Sequence, residues 1–294
     1  MGNVSNRNGR ALEYKIVDFL CSKESQFKVK LMPQAKSDLK RDKVNYGKLP
    51  KELKESYIKC AEVVHSWLTK EAQCKDLRLD KLTDSQAKEG DVTDIRITVN
   101  DRIINLSVKH HHAALKHQRP PTTAQRCGYK KGSKEDLAFR KKYKAIICEF
   151  LNSAKKHCPN AKNFRDLLTG DGDFINDNLY APICSLVTQT INELCKHESN
   201  AKALFKFLVG TTSFYKVIDY DDRVLIRDFN SIGSPDSVVA KVEGKSYVYL
   251  TFSNGWILSL RLHTASSRLG SSLKFDTQAV STPKAKEIIV SKLA

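Results

Sequence analysis

Between Asp91 and His110 the sequence leaves a helical repeat and alternates between apolar and polar residues. Isoleucine, leucine and valine occupy every second position in 95–99 and again in 104–108. Alternation of this kind predicts two strands with one apolar face, and Asn100-Asp101 between them is a turn signal. We therefore predict a β-hairpin, whose register is fixed because the apolar faces of both strands must coincide.

The predicted register brings an acid and an amine onto the polar face of this hairpin. It pairs Ile95 with Leu106 and Ile97 with Ile104. Asp94 then lies opposite Ser107, and Lys109 is diagonally displaced by about 7–8 Å, within reach of a lysine side chain. A carboxylate here can hold Mg²⁺, while the lysine can orient or help deprotonate water and stabilise phosphate charge. The alternative is a surface hairpin with a cross-strand ion pair.

Helical periodicity predicts elements on either side of the hairpin. A first helix begins near Gly9 or Arg10, with Asn6 or Asn8 as its cap. Glu13 lies beside the apolar stripe of that helix, so its carboxylate points partly inward. Further helices are predicted at 51–72 (after Pro50), 133–156, 161–168, 183–197 and 201–208, whereas the Lys-rich stretch 27–49 is predicted to be irregular.

The last third of the chain favours strands. Hairpins are predicted at 215–227 and at 246–263, and the second turns at Asn254-Gly255. The fold class is therefore mixed α/β with a β-rich C-terminal portion. We predict that residues 1–210 form a core with basic helical segments and that 211–294 form the β-rich, DNA-contacting portion; one single domain is the alternative.

Composition and charge limit the classes of function. The 294 residues include 50 Lys and Arg against 33 Asp and Glu, which gives a net charge of +17. This excess favours a polyanionic partner such as nucleic acid, the alternative being a basic protein with a solvated surface. No apolar run approaches the roughly 18 residues of a membrane span, and no signal peptide is visible, so we expect the cytoplasm. Eight scattered cysteines without CxxC spacing predict reduced thiols, not a zinc site.

Basic residues recur at three places that we predict to contact DNA. One run follows Lys109 directly, a second includes a helical surface, and a third follows the C-terminal hairpin. The predicted contacts are His110, His112, Lys116, Arg119, Lys130, Arg261, His263, Arg268 and Lys274. Plain solvation of the helical surface and a purely structural C-terminal loop are the alternatives.

The hairpin resembles the PD-(D/E)XK nuclease signature, in which an Asp at a strand start precedes an acid-x-Lys triplet. The segments are Gly90-Asp91-Val92-Thr93-Asp94 and Ser107-Val108-Lys109. No Pro precedes Asp94, and Ser107 stands where the second acid normally lies. Some members of that superfamily supply an acid from an N-terminal helix, and Glu13 is placed to do so. The resemblance implies catalytic roles for Asp94, Lys109 and Glu13, with Asp94 and Glu13 as Mg²⁺ ligands.

The chain also resembles HaeIII-type type II restriction endonucleases. The likeness lies in Asn6 to Tyr14, in the two hairpin segments, and in Arg261 to Arg268 with Ser272 to Asp276. It implies a restriction-endonuclease-like core, in which helices flank a central mixed sheet. It also implies cleavage of double-stranded DNA at a short palindrome, with GGCC suggested by the family alone, and a host DNA methyltransferase for the same sequence. A palindrome favours a homodimer, and a monomer that nicks each strand in turn is the alternative.

Two other functions are compatible with the sequence. One is a structure-specific repair nuclease of the same fold, and the other is a non-catalytic DNA- or RNA-binding protein whose hairpin is structural. Plasmid digestion with Mg²⁺ separates the three. Discrete bands indicate a restriction enzyme, smearing or structure-limited cutting indicates a repair nuclease, and intact plasmid indicates a binding protein.

Overall fold

A computed structural model describes residues 4–82, 91–111, 114–168, 173–210, 212–230, 233–283 and 286–292. The chain forms two compact units, each assembled from separate stretches. Unit 1 comprises Met1–Ala113, Gly210–Ile232 and Lys284–Ala294, and unit 2 comprises Ala114–Val209 and Gly233–Pro283. This grouping differs from the division at residue 210 predicted from the sequence, because each unit takes part of the C-terminal strands.

The strands and helices are numbered in chain order. The strands are β1 (Lys28–Leu31), β2 (Asp76–Lys81), β3 (Ile95–Val99), β4 (Arg102–His110), β5 (Lys116–Gln118), β6 (Tyr215–Asp219), β7 (Arg223–Asp228), β8 (Val238–Glu243), β9 (Tyr247–Phe252), β10 (Ile257–Thr264), β11 (Leu273–Ser281) and β12 (Glu287–Ser291). The α-helices are α1 (Val4–Leu20), α2 (Pro33–Gly47), α3 (Lys51–Ala72), α4 (Thr123–Arg126), α5 (Lys134–His157), α6 (Ala181–Leu194) and α7 (Glu198–Val209).

Unit 1 is built on a seven-stranded mixed sheet with the order β1-β2-β3-β4-β6-β7-β12. The pairs β1–β2 and β4–β6 are parallel, and the other neighbours are antiparallel. Helices α1, α2 and α3 belong to this unit, and α1 packs against β4. Leu12 and Ile16 of α1 share one buried core with Ile95 and Leu106 of the sheet. A central mixed sheet flanked by helices, with a β-rich C-terminal portion, confirms the predicted fold class.

The β3–β4 hairpin has the predicted register, in which Ile95 pairs with Leu106. At its turn Asn100 and Asp101 have φ angles of 42° and 65°. Two consecutive residues of positive φ form the tight turn that suits the twist of an antiparallel pair. The residues that alternate with the buried isoleucine and leucine side chains therefore project from the other, polar face of both strands.

Unit 2 contains a five-stranded antiparallel sheet with the order β5-β11-β10-β9-β8. Helix α6 packs against β8 and β9. Leu250, Leu258 and Leu260 are fully buried and lie on one face of this sheet. The predicted hairpin between β9 and β10 is present, and Gly255 at its turn has a φ of 85°.

Several local predictions were wrong. The stretch 27–49 contains β1 and α2. Helix α2 was missed because it buries little apolar surface: its buried residues are Ala35, Asp38 and Asp42. Helix α1 begins at Val4, earlier than predicted. The predicted helix at 161–168 is only a 3₁₀ turn over Phe164–Leu167, which a capping box of Asn163 and Asp166 closes.

Two expectations from composition concern thiols and membranes. The eight cysteines are all free. None of the helices in the described ranges combines the length and apolarity needed to cross a membrane.

The last strand of unit 1 is fastened by a buried lysine. Lys292 Nζ donates to the carboxylate of Asp219, to the carbonyl oxygen of Tyr220 at 2.6 Å and to Ser56 Oγ at 2.7 Å. The Asp219 side chain is fully buried, so its charge depends on partners inside the protein.

We predict that Lys292→Met lowers the free energy of unfolding by about 3–5 kcal/mol, because it leaves a buried carboxylate short of its main cation. Urea denaturation measures the change. Lys286→Met, at an exposed lysine just before the same strand, should change it by less than about 0.5 kcal/mol. Equal effects of the two substitutions would contradict the anchoring role.

Candidate active site

The structure brings Asp94 and Lys109 together. Asp94 lies just before β3, and Lys109 lies near the end of β4. Lys109 Nζ donates to Asp94 Oδ2 at 3.1 Å, the Val108 N–H donates to the same oxygen at 2.7 Å, and Ser107 Oγ lies 3.4 Å from it. The side chains of Asp94 and Lys109 are 24% and 32% exposed. The pair is therefore held rigidly but stays open to solvent.

Glu13 of α1 is close enough to this pair to share its electrostatics. Its side chain is 15% exposed, and Oε2 lies 2.8 Å from Nζ of Lys81. Burial and, to a lesser extent, the charge of Asp94 together raise the pKa of Glu13 to about 7, against the opposing charges of Lys81 and Lys109. A buried Glu13 whose ionisation is disfavoured beside a second carboxylate forms a site that gains from an added cation.

A buried charge network, not predicted from the sequence, lies behind Glu13. Lys81 is 4% exposed and bridges Glu13 to Asp42, whose Oδ2 is 3.0 Å from Lys81 Nζ. Asp42 is fully buried and also accepts two hydrogen bonds from Arg41, at 2.7 and 2.9 Å. From the surface inward, the side chains of Arg41, Asp42, Lys81 and Glu13 thus carry charges of alternating sign. One sign of this network was available in the sequence: Lys81 lies two residues after Leu79, on the buried side of β2.

Two lysines near Asp94 have opposite pKa shifts. Desolvation acts to lower the pKa of Lys109, but the charges of Asp94 and Glu13 outweigh it, so the net shift is upward. Lys216 of β6 pairs with Ser107 in the β4–β6 ladder and is 2% exposed. Burial, with the charges of Lys109 and Arg227, takes the pKa of Lys216 well below its usual value. Lys109 is therefore the ammonium group that contacts Asp94, as Lys81 contacts Glu13.

The donor atoms fit a hard divalent cation. Asp94 and Glu13 offer carboxylate oxygens, and the described residues contain no group of three or more His, Cys, Asp or Glu placed to hold a metal. Mg²⁺ is commonly held by one or two carboxylates together with waters and substrate phosphates, so two acids are sufficient. Transition metals that prefer several nitrogen or sulfur ligands find no such set among these residues.

Asp91, an acid upstream of Asp94, does not join the pair. Asp91 accepts hydrogen bonds from the Arg96 guanidinium and from the Thr93 N–H, the latter at 3.0 Å. Burial acts to raise the pKa of Asp91, but these hydrogen bonds and the Arg96 charge outweigh it and lower the pKa. Glu89, a second acid upstream of Asp94 in the sequence, lies outside the described residues.

The histidines after Lys109 occupy different surroundings. His110 Nδ1 lies 3.0 Å from Asp219 Oδ2, its side chain is 18% exposed, and its ring packs edge-on against Tyr57. This places His110 on the buried side of β4, whereas Lys109 is on the polar side. His112 lies outside the described residues. A role of either residue in DNA binding stays a prediction.

The other predicted DNA contacts belong to unit 2. Lys116 Nζ lies 4.4 Å from the centre of the Phe207 ring, and Arg119 donates to the carbonyl oxygen of Leu273 at 3.1 Å. Lys130 and Arg268 are exposed. The remaining three, Arg261, His263 and Lys274, lie close together at the carboxylate of Asp276.

Comparisons with known proteins agree with this geometry. The family model of the HaeIII restriction endonuclease matches residues 9–241 and 236–283. The type II restriction enzyme HaeIII of Haemophilus aegyptius is 27% identical over 320 aligned positions, which cover 96% of each chain. The comparison with solved structures gives no match. The chain therefore belongs to the HaeIII restriction endonuclease family and is a type II restriction endonuclease, a site-specific deoxyribonuclease.

Proposed function

We propose that Asp94, Glu13 and Lys109 form the reactive centre of a Mg²⁺-dependent enzyme that hydrolyses phosphodiester bonds in double-stranded DNA. The observation that carries this proposal is the 3.1 Å contact between Lys109 Nζ and Asp94 Oδ2, on the open side of the β3–β4 hairpin and close to Glu13. Family membership supplies the class of reaction, and type II restriction endonucleases generally use a divalent metal. The donor set of two carboxylates supports Mg²⁺ in particular.

Each residue has a separate part in this chemistry. Asp94 and Glu13 would hold the metal, which when bound neutralises charge on the scissile phosphate. Lys109 carries a positive charge that can orient the attacking water and stabilise the phosphate as negative charge develops. The Val108 N–H and the Ser107 hydroxyl fix the position of the Asp94 carboxylate. Ser107 itself is not an acid, so Glu13 supplies the second carboxylate.

The target and partners follow from the family resemblance. We infer that the substrate is a short palindrome and take GGCC as the sequence to test first, with the resemblance as its only support. A palindromic site suits a homodimer, since a two-fold axis of the protein can match that of the DNA. A DNA methyltransferase that protects the same sequence is the expected functional partner in the host. We propose the cytoplasm as the compartment, because the substrate is DNA inside the cell.

We predict that the purified chain, incubated with Mg²⁺ and a plasmid containing several GGCC sites, produces discrete bands whose ends map to those sites. Chelation of divalent metal with EDTA should leave the plasmid intact. A matched plasmid without GGCC serves as the control. Discrete cutting at another sequence would reject GGCC alone, whereas an intact plasmid under all divalent metals would reject the nuclease centre.

Substitution of the paired residues should separate cleavage from binding. We predict that Asp94→Asn and Lys109→Met each reduce the cleavage rate by at least about a hundredfold, since each removes charge that acts on the transition state. Binding to duplex DNA in EDTA should change by less than about threefold. Asp76→Asn and Lys30→Met, exposed residues of β2 and β1 in the same sheet, are the matched controls. A Lys109→Met protein with normal cleavage would contradict its role.

The raised pKa of Glu13 predicts a pH-dependent stability. Because the folded state holds a proton on Glu13 up to a pKa of about 7, against 4.5 for an ordinary Glu, stability falls as pH rises through that window. Glu13→Gln cannot ionise, so in EDTA it should gain up to about 3 kcal/mol over the wild-type chain at pH 8 and almost nothing at pH 4.5.

Urea denaturation at the two pH values measures this difference. Glu52→Gln, at an exposed position of α3, is the control for loss of a carboxylate. The same gain at both pH values would contradict the pKa shift, because it would show an effect of the substitution that does not depend on ionisation.

A further inference from the structure

Four basic side chains of unit 2 gather around one buried carboxylate. Asp276 is 5% exposed, and we call it, with His117, Arg261, His263 and Lys274, the Asp276 cluster. His263 Nε2 lies 2.8 Å from Oδ2, Arg261 Nη2 lies 3.7 Å from the same oxygen, and Lys274 Nζ lies 3.8 Å from Oδ1. His117 Nδ1 is in direct contact with Oδ1.

The register of the five-stranded sheet produces this cluster. Asp276 of β11 is paired with His117 of β5 on one side and with Arg261 of β10 on the other, and His263 is paired with Lys274. Directly paired residues project from the same face of an antiparallel sheet, and residues two apart on a strand do so as well. The whole cluster therefore lies on one face.

This face is open to solvent, whereas the other one is not. The side chains of His117 and Arg261 are 51% and 52% exposed. The residues that alternate with them, Leu260, Leu262 and Phe275, are buried in the opposite face. The Arg261 guanidinium is thus accessible, and the Lys274 side chain is 28% exposed, while their shared carboxylate is buried.

The cluster has an excess of positive charge. Arg261 and Lys274 are both cationic at neutral pH against the one carboxylate. His263 Nδ1 lies 2.9 Å from the carbonyl oxygen of Thr264, and Nε2 faces Asp276. An anion on this face would balance the excess.

Asp276 stays ionised inside this group. Burial acts to raise its pKa, but contact with His263 and the charges of His117, His263 and Lys274 outweigh burial, and the pKa is lowered. The carboxylate can therefore position the basic side chains without losing its charge at neutral pH. A fixed array of cations costs less entropy on binding an anion than free surface lysines do.

We propose that the Asp276 cluster is a binding site for the phosphodiester backbone of duplex DNA, contacted by Arg261 and Lys274 and positioned by Asp276. The choice of DNA as the polyanion rests on the proposed function. The width of the sheet favours contact with the DNA backbone over readout of the bases. Five strands at about 4.8 Å spacing make a face roughly 19 Å wide, and the major groove is about 12 Å wide. Such a face lies across the phosphates and does not enter the groove.

The test is the salt dependence of DNA binding by the full chain in EDTA, measured by fluorescence anisotropy on two labelled duplexes, one with GGCC and one without. Arg261→Ala and Lys274→Ala should each raise Kd about fivefold to tenfold at low salt, on both duplexes, and reduce the slope of log Kd against log salt by about 1. Lys155→Ala, an exposed lysine in the last turn of α5, is the charge-matched control and should change Kd by less than about twofold.

Two results would overturn the proposal. One is an unchanged Kd and slope in both cluster variants, and the other is a loss confined to the GGCC duplex, which indicates base readout. A thermal melt checks folding, and Arg261→Gln with Lys274→Gln repeats the test if an alanine variant is unfolded. Plasmid cleavage by the wild-type chain is scored separately. Cluster-dependent binding without any cleavage would count against the proposed reactive centre and leave this site in place.

Discussion

The antiparallel register of β3 and β4 is the constraint on which the candidate site depends. Burial of Ile95 beside Leu106 leaves only one alignment in which both apolar faces point into the core. In that alignment Asp94 and Lys109 meet, and a shift by one residue would turn every side chain of one strand to the other face. The hydrophobic core therefore sets the geometry of the chemistry, although none of its residues takes part.

Charge balance is the second requirement, because two carboxylates close together are costly without cations. Lys81 and Lys109 supply those cations in the structure, one on Glu13 and the other on Asp94. Lys81 is itself stabilised by Asp42, so the network reaches from the surface to the site. A bound divalent cation would satisfy the same need. The lysines offset only part of the cost of ionised Glu13, as its raised pKa indicates, and the acids are left poised for a metal.

The sequence predicted what depends on local periodicity and missed what depends on distant partners. The hairpin, its turn and helix α3 follow from alternation, turn chemistry and helical spacing. Helix α2 was missed because its buried residues include Asp42, which is stabilised by Lys81, 39 positions away in the sequence. The Asp276 cluster was partly visible as basic residues, but the buried acid that gathers them and His117 of β5 became apparent only through the strand pairing.

The most direct test of the proposed reactive centre is the position of the metal in a crystal of the full chain with uncleaved duplex DNA and Mn²⁺, located by anomalous scattering. We expect a peak coordinated by carboxylate oxygens of Asp94 and Glu13, with a phosphate oxygen as a further ligand and the Lys109 ammonium beside that phosphate. A metal that contacts the DNA but neither of these carboxylates would contradict this assignment. So would a metal bound elsewhere in the protein, for example at Asp219.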